Sequence, residues 1–308
     1  MNSNYKIDLD SLRVIEAIVD QGSFSGAALA LHRVPSTISY TVSKLENSFN
    51  VKFFEREKHG VKLTEAGREL VRHSKHILQI AADAEKSIER IATGWESELS
   101  IALGDLINPN ALMPLLDDLF KLSPQMQVRV STEVLNGMWD SLAANRADLI
   151  IGVDDTIPST MSGISTAELG YYEFVFAVAA NHPLATATEP LSHDDIKPYR
   201  VIAVSDTSRS IPHRSIGLLE GQSVLSVPTH QMKLEAQRLG LGVGTVSRKM
   251  VQPYLDDGQM VVKATELSGD RPYGVIYAWK NHHKGEGLKW LLQQLASLEI
   301  QQQLLDVG

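Results

Sequence analysis

The fold of the N-terminal part of the chain is decided by residues 23–56, SFSGAALALHRVPSTISYTVSKLENSFNVKFFER. Apolar residues recur at helical spacing in its first part, at Phe24, Ala27, Ala28 and Leu31. The hydroxyl of Ser23 stands where it can cap the free amides of that helix. Pro35 then interrupts the pattern, because proline disfavours helical backbone in the residue before it. Two short helices joined by a tight turn are therefore predicted.

The second helix of the pair is predicted to have one apolar and one polar face. Its apolar positions are Ile38, Val42, Leu45 and Phe49. The other face carries hydroxyls, a phenol and an amine, with no acid before Glu46: Ser36, Thr37, Ser39, Tyr40, Ser43 and Lys44. Such groups exchange hydrogen bonds with base edges and phosphates. The pattern is typical of a helix-turn-helix that enters the major groove of DNA, and the alternative is a solvated face of an ordinary helical bundle.

The flanking sequences favour the DNA-binding interpretation. Upstream, Asp8 opens a helix that Gly22 ends, with inward positions at Leu12, Ile15, Ile18 and Val19. Downstream, residues 51–56 and 61–64 are strand-like around a turn, which predicts a basic wing. Residues 31–76 hold nine Lys or Arg and five acids, a net charge of +4 on the segment that would face phosphate. The candidate DNA contacts are Ser23, Arg33, Pro35, Ser36, Thr37, Ser39, Tyr40, Ser43, Lys44, Arg56, Lys58 and Lys62.

The charge of the whole chain is unevenly distributed. The 308 residues carry a net charge of −8, but residues 1–93 hold 13 bases and 12 acids, so the remaining 16 bases and 25 acids give −9. No cysteine is present, which excludes disulfides and thiol chemistry. No apolar run approaches the length of a membrane span and no secretory signal pattern opens the chain, so a cytosolic protein is expected.

Residues 65–93 are predicted to form one long helix with a narrow apolar seam. Its seam positions are spaced alternately by four and three residues: Leu70, Ser74, Ile77, Ala81, Ala84, Ile88 and Ile91. A helix that faces only its own core would have a wider stripe. The seam therefore predicts a dimer contact.

From residue 98 onward strands alternate with helices, which predicts an α/β fold with parallel strands. One lobe is expected over about 98–163 and 271–302, and a second over about 164–270. The predicted strands are 99–103, 126–134, 149–153, 174–179, 201–204, 224–227, 242–246 and 275–279, and the helices 109–122, 136–145, 231–239 and 287–297.

The first sixty or so residues of this pattern resemble the LysR-type transcriptional regulators. The resemblance is carried by Leu12, Gly22-Ser23-Phe24, Ala27-Ala28, Leu31-His32, Ile38-Ser39, Leu45-Glu46, Phe54-Glu55-Arg56 and Leu63-Thr64-Glu65-Ala66-Gly67. The chain departs from the family at the reading face. Many members carry Ser-Gln-Pro where this chain has Val34-Pro35-Ser36, and many carry Arg where it has Tyr40.

The resemblance implies the organisation and the partners of the protein. A winged helix-turn-helix DNA-binding domain at 1–64 would be followed by a linker helix at 65–93. An effector-binding domain at 94–308 would have the two-lobed α/β fold of periplasmic binding proteins. The implied partners are double-stranded promoter DNA, a small-molecule effector, further copies in a homodimer or homotetramer, and RNA polymerase. A bacterial cytoplasmic protein, on the nucleoid when bound to DNA, is implied.

Small ligands of such a fold bind between the lobes, at strand C-termini and helix N-termini. The candidate effector residues are Asp105, Leu106, Asn108, Glu133, Asn136, Trp139, Asp206, Thr207, Ser208, Thr229 and His230. Three of them are acids, which disfavours a simple organic anion and favours a polar neutral or cationic effector stacked on Trp139. The alternatives are that Trp139 belongs to the core and that residues 206–208 cap a helix.

Neither an enzyme nor a metal or cofactor site is expected. His193-Asp194-Asp195 has the pattern of a capped helix start. The glycines of 240–244 precede a strand instead of following one, unlike a dinucleotide-binding loop. His282-His283 lies in a basic turn, and the histidines of residues 73–76 suit a hydrated helix face. Two further classes stay open, a small-molecule binding or transport protein with an incidental helical head and an architectural DNA binder without a ligand.

Overall fold

A computed structural model describes residues 5–57, 60–159, 161–266, 273–281 and 285–307, with the backbone alone at 56, 57, 86, 87 and 89–93. The chain forms two compact units, residues 1–88 and 89–308. The described helices are α1 (Leu9–Gln21), α2 (Phe24–Ala30), α3 (Pro35–Phe49), α4 (Glu65–Thr93), α5 (Met113–Leu122), α6 (Asn136–Ala143), α7 (His193–Ile196), α8 (His230–Arg238), α9 (Arg248–Asp256), α10 (Glu286–Leu295) and α11 (Leu298–Leu304). The described strands are β1 (Phe54–Glu57), β2 (Gly60–Leu63), β3 (Glu98–Gly104), β4 (Gln127–Glu133), β5 (Leu149–Asp154), β6 (Ile164–Tyr172), β7 (Phe174–Ala179), β8 (Val201–Val204), β9 (Val224–Val227), β10 (Gly244–Ser247), β11 (Met260–Lys263) and β12 (Tyr273–Lys280).

The first unit is built on α1, α2 and α3, as the sequence predicts. Asp8 caps α1 by accepting a hydrogen bond from the Ser11 amide at 2.7 Å, and Gly22 ends the helix in the left-handed conformation. His32 also has a positive φ of 52°, which turns the chain between α2 and α3. The apolar faces of the three helices form one core with the base of the wing.

Glu46 joins α3 to the wing. The buried carboxylate accepts hydrogen bonds from the Phe53 amide at 2.9 Å and from the Lys52 ammonium at 2.5 Å. The prediction that Phe49 is a core position is wrong, since its side chain is 39% exposed. Phe49 lies at the end of α3, where Lys6 covers its ring at 5.0 Å and Phe53 meets it edge-on.

The wing is the antiparallel pair β1–β2, with Phe54 opposite Leu63. Thr64 then caps α4, because its hydroxyl accepts a hydrogen bond from the Gly67 amide at 3.0 Å and donates one to the Lys52 carbonyl at 2.6 Å. A Cβ on Gly67 would lie 2.1 Å from the carbonyl oxygen of Phe53. Glycine is therefore required where α4 starts against the wing.

The exposed seam of α4 begins later than the sequence predicts. Leu70 and Ser74 are buried, and Leu70 packs in the core of the first unit, so its assignment to a dimer contact is corrected. Ile77, Ile80 and Ile88 are 37%, 55% and 67% exposed. Ala81 is half-buried and Ala84 exposed, and the side chain of Ile91 lies outside the described residues.

The second unit contains a first lobe with a five-stranded sheet in the order β4-β3-β5-β12-β6. Strand β3 runs parallel to β4 and β5, and β12 is antiparallel to β5 and β6. The prediction that the second lobe starts near Ile164 is therefore wrong, because β6 pairs with β12 along its whole length. The chain leaves the first lobe after Tyr172.

The second lobe is a mixed sheet in two parts. Strands β10, β7 and β11 are antiparallel, β8 and β9 are parallel, and a bridge between Val201 and Val243 joins the parts. Strands β7, β8 and β9 begin and end at the predicted residues. Elements α9, α11 and β11 were not predicted, and the segment of β6 was assigned to the second lobe without a predicted strand. In the part of the chain that is described, no helix is long and apolar enough to cross a membrane.

Candidate functional site

The polar face of α3 is open to solvent. Ser36, Thr37, Tyr40, Ser43 and Lys44 are exposed, and Ser39 is half-buried. Tyr40 is 69% exposed although it is aromatic. Pro35 occupies the first turn of α3, where its missing N–H leaves no helical hydrogen bond unmade.

Two of the predicted DNA contacts have partners within the first unit. Ser23 caps α2, since its hydroxyl accepts a hydrogen bond from the Gly26 amide at 3.0 Å. The Arg33 guanidinium makes two hydrogen bonds to Asp10, at 2.7 and 2.8 Å, which hold the pKa of Asp10 below its usual value. Among the wing residues Lys62 is exposed, Arg56 is described only in its backbone, and Lys58 lies outside the described residues.

A cavity of about 170 Å³ lies between the two lobes of the second unit. It opens at the C-terminal ends of β3, β4 and β5 and at the first turn of α8. The described residues that line it are Gly104, Asp105, Leu106, Glu133, Leu135, Met138, Gly152, Val153, Asp154, Tyr172, Phe174, Val204, Ile216, His230, Lys233, Thr245, Tyr273, Gly274 and Val275.

Asp105 of the first lobe is bound by the first residue of α8 in the second lobe. Its carboxylate accepts hydrogen bonds from the His230 amide at 2.7 Å and approaches His230 Nδ1 at 2.8 Å. The N-terminus of a helix attracts negative charge. This carboxylate therefore fills the position at α8 where an anion would otherwise bind.

Asp206 of the second lobe likewise binds the N-terminus of α6 in the first lobe. It accepts hydrogen bonds from the amides of Asn136 and Gly137 at 3.2 and 3.1 Å, and from those of Ser208 and Arg214 at 2.8 and 2.7 Å. Each lobe thus supplies one carboxylate to a helix N-terminus of the other.

The remaining acids at the cavity are also held by protein groups. Thr207 donates a hydrogen bond from its hydroxyl to Glu133, and Arg146 lies 3.9 Å from the same carboxylate. Arg214 pairs with Asp154 at 2.8 Å. A Cβ on Gly137 would lie 1.8 Å from the Thr207 hydroxyl, so the contact between lobes requires glycine there.

Lys233 is the basic residue of α8 that lines the cavity, one turn after His230. Its side chain is only 6% exposed and passes beside Gly244. Burial lowers the pKa of Lys233 to about 8, and the charge of Asp105 opposes this effect. Sequence reasoning missed this residue, because nothing in the local pattern of α8 distinguishes Lys233 from a solvated lysine.

Comparison with known proteins identifies the two units. The model of the LysR substrate binding domain matches residues 92–298, and that of the bacterial regulatory helix-turn-helix protein, lysR family, matches residues 9–68. This chain belongs to the LysR family of transcriptional regulators. YhaJ of Escherichia coli K12, a probable HTH-type transcriptional regulator, is 36% identical over 292 residues, 95% of this chain and 97% of YhaJ. The transcriptional regulator PunR of the same strain is 32% identical over 94% of this chain and 93% of PunR.

Solved structures of full-length regulators share the fold of this LysR-family chain. The probable transcriptional regulator PA0477 from Pseudomonas aeruginosa has a TM-score of 0.55 at 18% identity, covering 96% of this chain and 98% of its own. CbnR in complex with its target DNA has a TM-score of 0.58 at 15% identity, covering 94% and 99%. The predicted α/β fold with an N-terminal helix-turn-helix is confirmed, and the relatives are regulators and not enzymes.

Only some of the predicted effector residues of the regulator line the cavity: Asp105, Leu106, Glu133 and His230. Trp139 is 1% exposed and packs in the core, so it offers no stacking surface and its assignment is corrected. Asp206 and Thr207 bind the opposite lobe, and Asn136 donates hydrogen bonds to Asp206 and to the Pro212 carbonyl.

Three further predicted effector residues of the regulator have structural roles instead. Thr229 caps α8 by accepting a hydrogen bond from the Met232 amide, and Asn108 caps the short 3-10 turn at 109–112. Ser208 is buried, and its amide donates a hydrogen bond to the Asp206 carboxylate. The alternative that residues 206–208 cap a helix therefore describes Asp206 well, although the helix belongs to the other lobe.

The histidine motifs of the regulator have structural partners or lie outside the described part. Ser192 and Asp195 form a capping box around the start of α7, as predicted. His73 contacts Glu69 on α4, and His282-His283 lies outside the described residues. Among the residues that the structure covers, no three histidines or acids form a group that could hold a metal ion.

Proposed function

We propose that this regulator reads its operator with the polar face of α3 and responds to a small effector bound between the lobes of its second unit. The exposure of Ser36, Thr37 and Tyr40 on the helix that follows the turn carries the first half of the proposal. The inter-lobe cavity carries the second half. Lys44, Arg56, Lys58 and Lys62 would contact phosphates on either side of the reading helix.

We also propose that two copies pair through the exposed stretch of α4 and that the pairs assemble into a tetramer. Ile77, Ile80 and Ile88 expose apolar surface that water disfavours. A paired arrangement would present two reading helices, so the operator would consist of dyad-related half-sites. The effector would change the closure of the lobes and with it the bend of the DNA. Contact with RNA polymerase, a place in the cytoplasm and association with the nucleoid stay predictions.

Selection of sheared genomic DNA from the source organism on the immobilised full-length regulator tests the DNA half. The wild type should enrich discrete promoter fragments that contain inverted half-sites. Tyr40→Ala should weaken binding to an enriched fragment by about tenfold, while binding to unrelated DNA of the same length changes little. Tyr171→Ala, which removes a 56% exposed tyrosine of the second unit, is the matched control.

Two outcomes would contradict the DNA half. If no fragment is enriched over background, the chain does not read sequence. If Tyr40→Ala lowers specific and non-specific affinity equally, the residue positions the helix on phosphate and does not read bases.

The effector half is tested by thermal-shift screening of the full chain against a set of small metabolites that includes anions, cations and neutral compounds. At least one compound should raise the midpoint of thermal unfolding of the second unit and change the affinity of the regulator for DNA. If none does, the regulator is an architectural DNA binder without a ligand, the class that the sequence leaves open.

A further inference from the structure

The charged groups around the inter-lobe cavity differ in one respect, which is whether a protein group lies within hydrogen-bond or ion-pair distance of them. Asp105 is bound by His230, and Asp154 by Arg214. Glu133 accepts the hydrogen bond of a threonine and lies near Arg146. Lys233 differs, because no described residue accepts a hydrogen bond from its ammonium or forms an ion pair with it within 4.0 Å, although the charge of Asp105 acts on it from farther away.

A charged ammonium at this buried position is unfavourable for the stability of the fold. Its three donors are removed from most of the surrounding water, and an unpaired buried charge is unfavourable for folding. The aliphatic stem is fixed between α8 and β10, with Cε beside Gly244. A side chain that is 94% buried yet lines the cavity therefore offers three donors to whatever enters it.

The rest of the cavity wall favours a small ring. Phe174 contacts Tyr172 and Tyr273 edge-on, with ring centroids 6.3 and 5.2 Å apart, and all three line the cavity. Seven leucine, isoleucine, valine and methionine side chains line the cavity as well. A volume of about 170 Å³ is close to that of a protein cavity of about 150 Å³ known to admit benzene.

We propose that Lys233 anchors the effector, and that the effector is a small organic anion with one carboxylate on a single apolar ring. This inference rests on the proposed effector site and names its ligand class. The carboxylate would accept charge-assisted hydrogen bonds from the ammonium, while the ring packs against Phe174 and its neighbours.

The inference reverses the ligand class that the sequence favours. Asp105, Glu133 and Asp206 disfavour an anion only if their charges face the ligand without counter-charge. In the folded chain each of them is bound by amides, hydroxyls or basic groups of the protein. The charged group at the cavity that has no hydrogen bond or ion pair to a described residue is the ammonium of Lys233.

Three compounds of equal size and different charge test the ligand class: benzoate, benzamide and benzamidine. Each is added at millimolar concentration to the full-length regulator, and the thermal midpoint and the calorimetric Kd are measured. Benzoate should bind at least about tenfold more tightly than the other two, because only it brings the counter-charge for Lys233. If benzamide or benzamidine binds as well as benzoate, or if benzoate does not bind, the ligand class is wrong.

Substitution of the lysine tests the anchor. Lys233→Met, which keeps the length of the side chain without the charge, should weaken benzoate binding at least about tenfold and leave benzamide binding nearly unchanged. Lys197→Met, which removes an exposed lysine of the same lobe, is the matched control and should bind benzoate like the wild type. If Lys233→Met binds benzoate as the wild type does, Lys233 is not the anchor.

A second measurement separates ligand binding from a purely structural role. If Lys233 serves the effector, Lys233→Met should melt no lower than the wild type, because an unpaired buried charge is removed. A clear fall in the midpoint of thermal unfolding would mean that Lys233 stabilises the fold, and the proposal that it anchors the effector would be wrong. The comparison of benzoate, benzamide and benzamidine uses the wild type alone, so it does not depend on how Lys233→Met folds.

The failure of this inference is distinguishable from failure of the proposed function. Stabilisation by a cation or a neutral metabolite, with no response to benzoate, overturns the ligand class alone. If no metabolite of any charge stabilises the chain while DNA binding persists, the effector half of the proposed function fails.

Discussion

Acidic side chains of the second unit bind the N-termini of helices that are distant in sequence. Asp105 accepts the first amide of α8, Asp206 those of α6, and Glu96 those of Gly287 and Leu288 in α10. A helix N-terminus carries partial positive charge and unsatisfied N–H groups, so each carboxylate is stabilised where it lies. These acids are therefore part of the scaffold, and the net charge of −9 in this part of the sequence does not describe the charge that a ligand meets.

The pKa of Lys233 leads to a prediction about the pH dependence of stability. Burial lowers this pKa to about 8 in the folded chain from an ordinary value of 10.5, so the unfolded chain binds the proton more tightly. The free energy of unfolding of the wild type should therefore rise, relative to Lys233→Met, as the pH increases from about 8 to 10.5.

Denaturant titrations of both proteins at several pH values across this window measure the difference. Titratable groups that the two proteins share contribute equally to both free energies of unfolding, so their effect cancels in the difference. Lys197→Met serves as the control, and its difference from the wild type should stay constant. A difference between wild type and Lys233→Met that falls with pH would mean that the folded chain stabilises the charged ammonium.

At the scale of elements, α4 has two different faces along its length. Its first turns bury Leu70 and Ser74 in the first unit, whereas Ile77, Ile80 and Ile88 face outward. Spacing alone predicts a continuous seam, because a residue that packs on its own domain has the same period as one that packs on a partner. The apolar surface left for a partner starts at Ile77, about two turns after the predicted start at Leu70.

Ile88→Asp should disrupt pairing through α4. A carboxylate at this position would have to be desolvated in an apolar contact, which is unfavourable unless it is neutralised. Light scattering should show a lower mass at micromolar concentration than for the wild type, and binding to paired half-sites should weaken.

Lys75→Asp provides the matched control for this substitution. Lys75 is an exposed residue of α4 and lies about 160° around the helix from Ile77 at 100° per residue. This variant should keep the mass of the wild type. If Ile88→Asp also keeps it, the regulator does not pair through the exposed seam.

At the scale of the second unit, its lobes are linked by a reciprocal pair of contacts. Asp105 of the first lobe binds α8, and Asp206 of the second lobe binds α6. The segment after β8 adds further contacts, since the amides of Arg209 and Ser210 donate hydrogen bonds to Asp140. Contact between the lobes is thus stabilised by carboxylates of both lobes.

Asp206→Asn should weaken one of these contacts without touching the other. An amide group in place of one carboxylate oxygen cannot accept from the N–H groups now aimed at it, which should cost about 2 kcal/mol. Hydrogen exchange should become faster at the amides of Asn136 and Gly137 but not at that of His230. Asp257→Asn, at an exposed position of the second lobe, should change none of these rates. Unchanged exchange at residues 136–137 would contradict the linking role of Asp206.

Local pattern predicted most elements because helix and strand periods record which side chains of one segment are buried. Strands β7, β8 and β9 and the capped starts of α1 and α2 follow from a few adjacent residues. The residues of β6 were assigned to the wrong lobe, since the partner strand β12 lies far along the chain and pairing between distant strands leaves no local signal. Trp139 was predicted to stack on the effector, because the residue type alone does not distinguish an aromatic side chain in a hydrophobic core from one in a binding site.

The sequence by itself determined the helix-turn-helix, its wing, the long helix and the alternating α/β unit, because each depends on residues close together in the chain. Only the tertiary structure decided which charges at the cavity have partners. Asp105 at the cavity and Asp206 beside it accept hydrogen bonds from helix N-termini of the opposite lobe, whereas the ammonium of Lys233 has no hydrogen bond or ion pair to a described residue. Their partners come from segments separated by many residues, and a charge in a folded chain is defined by what faces it.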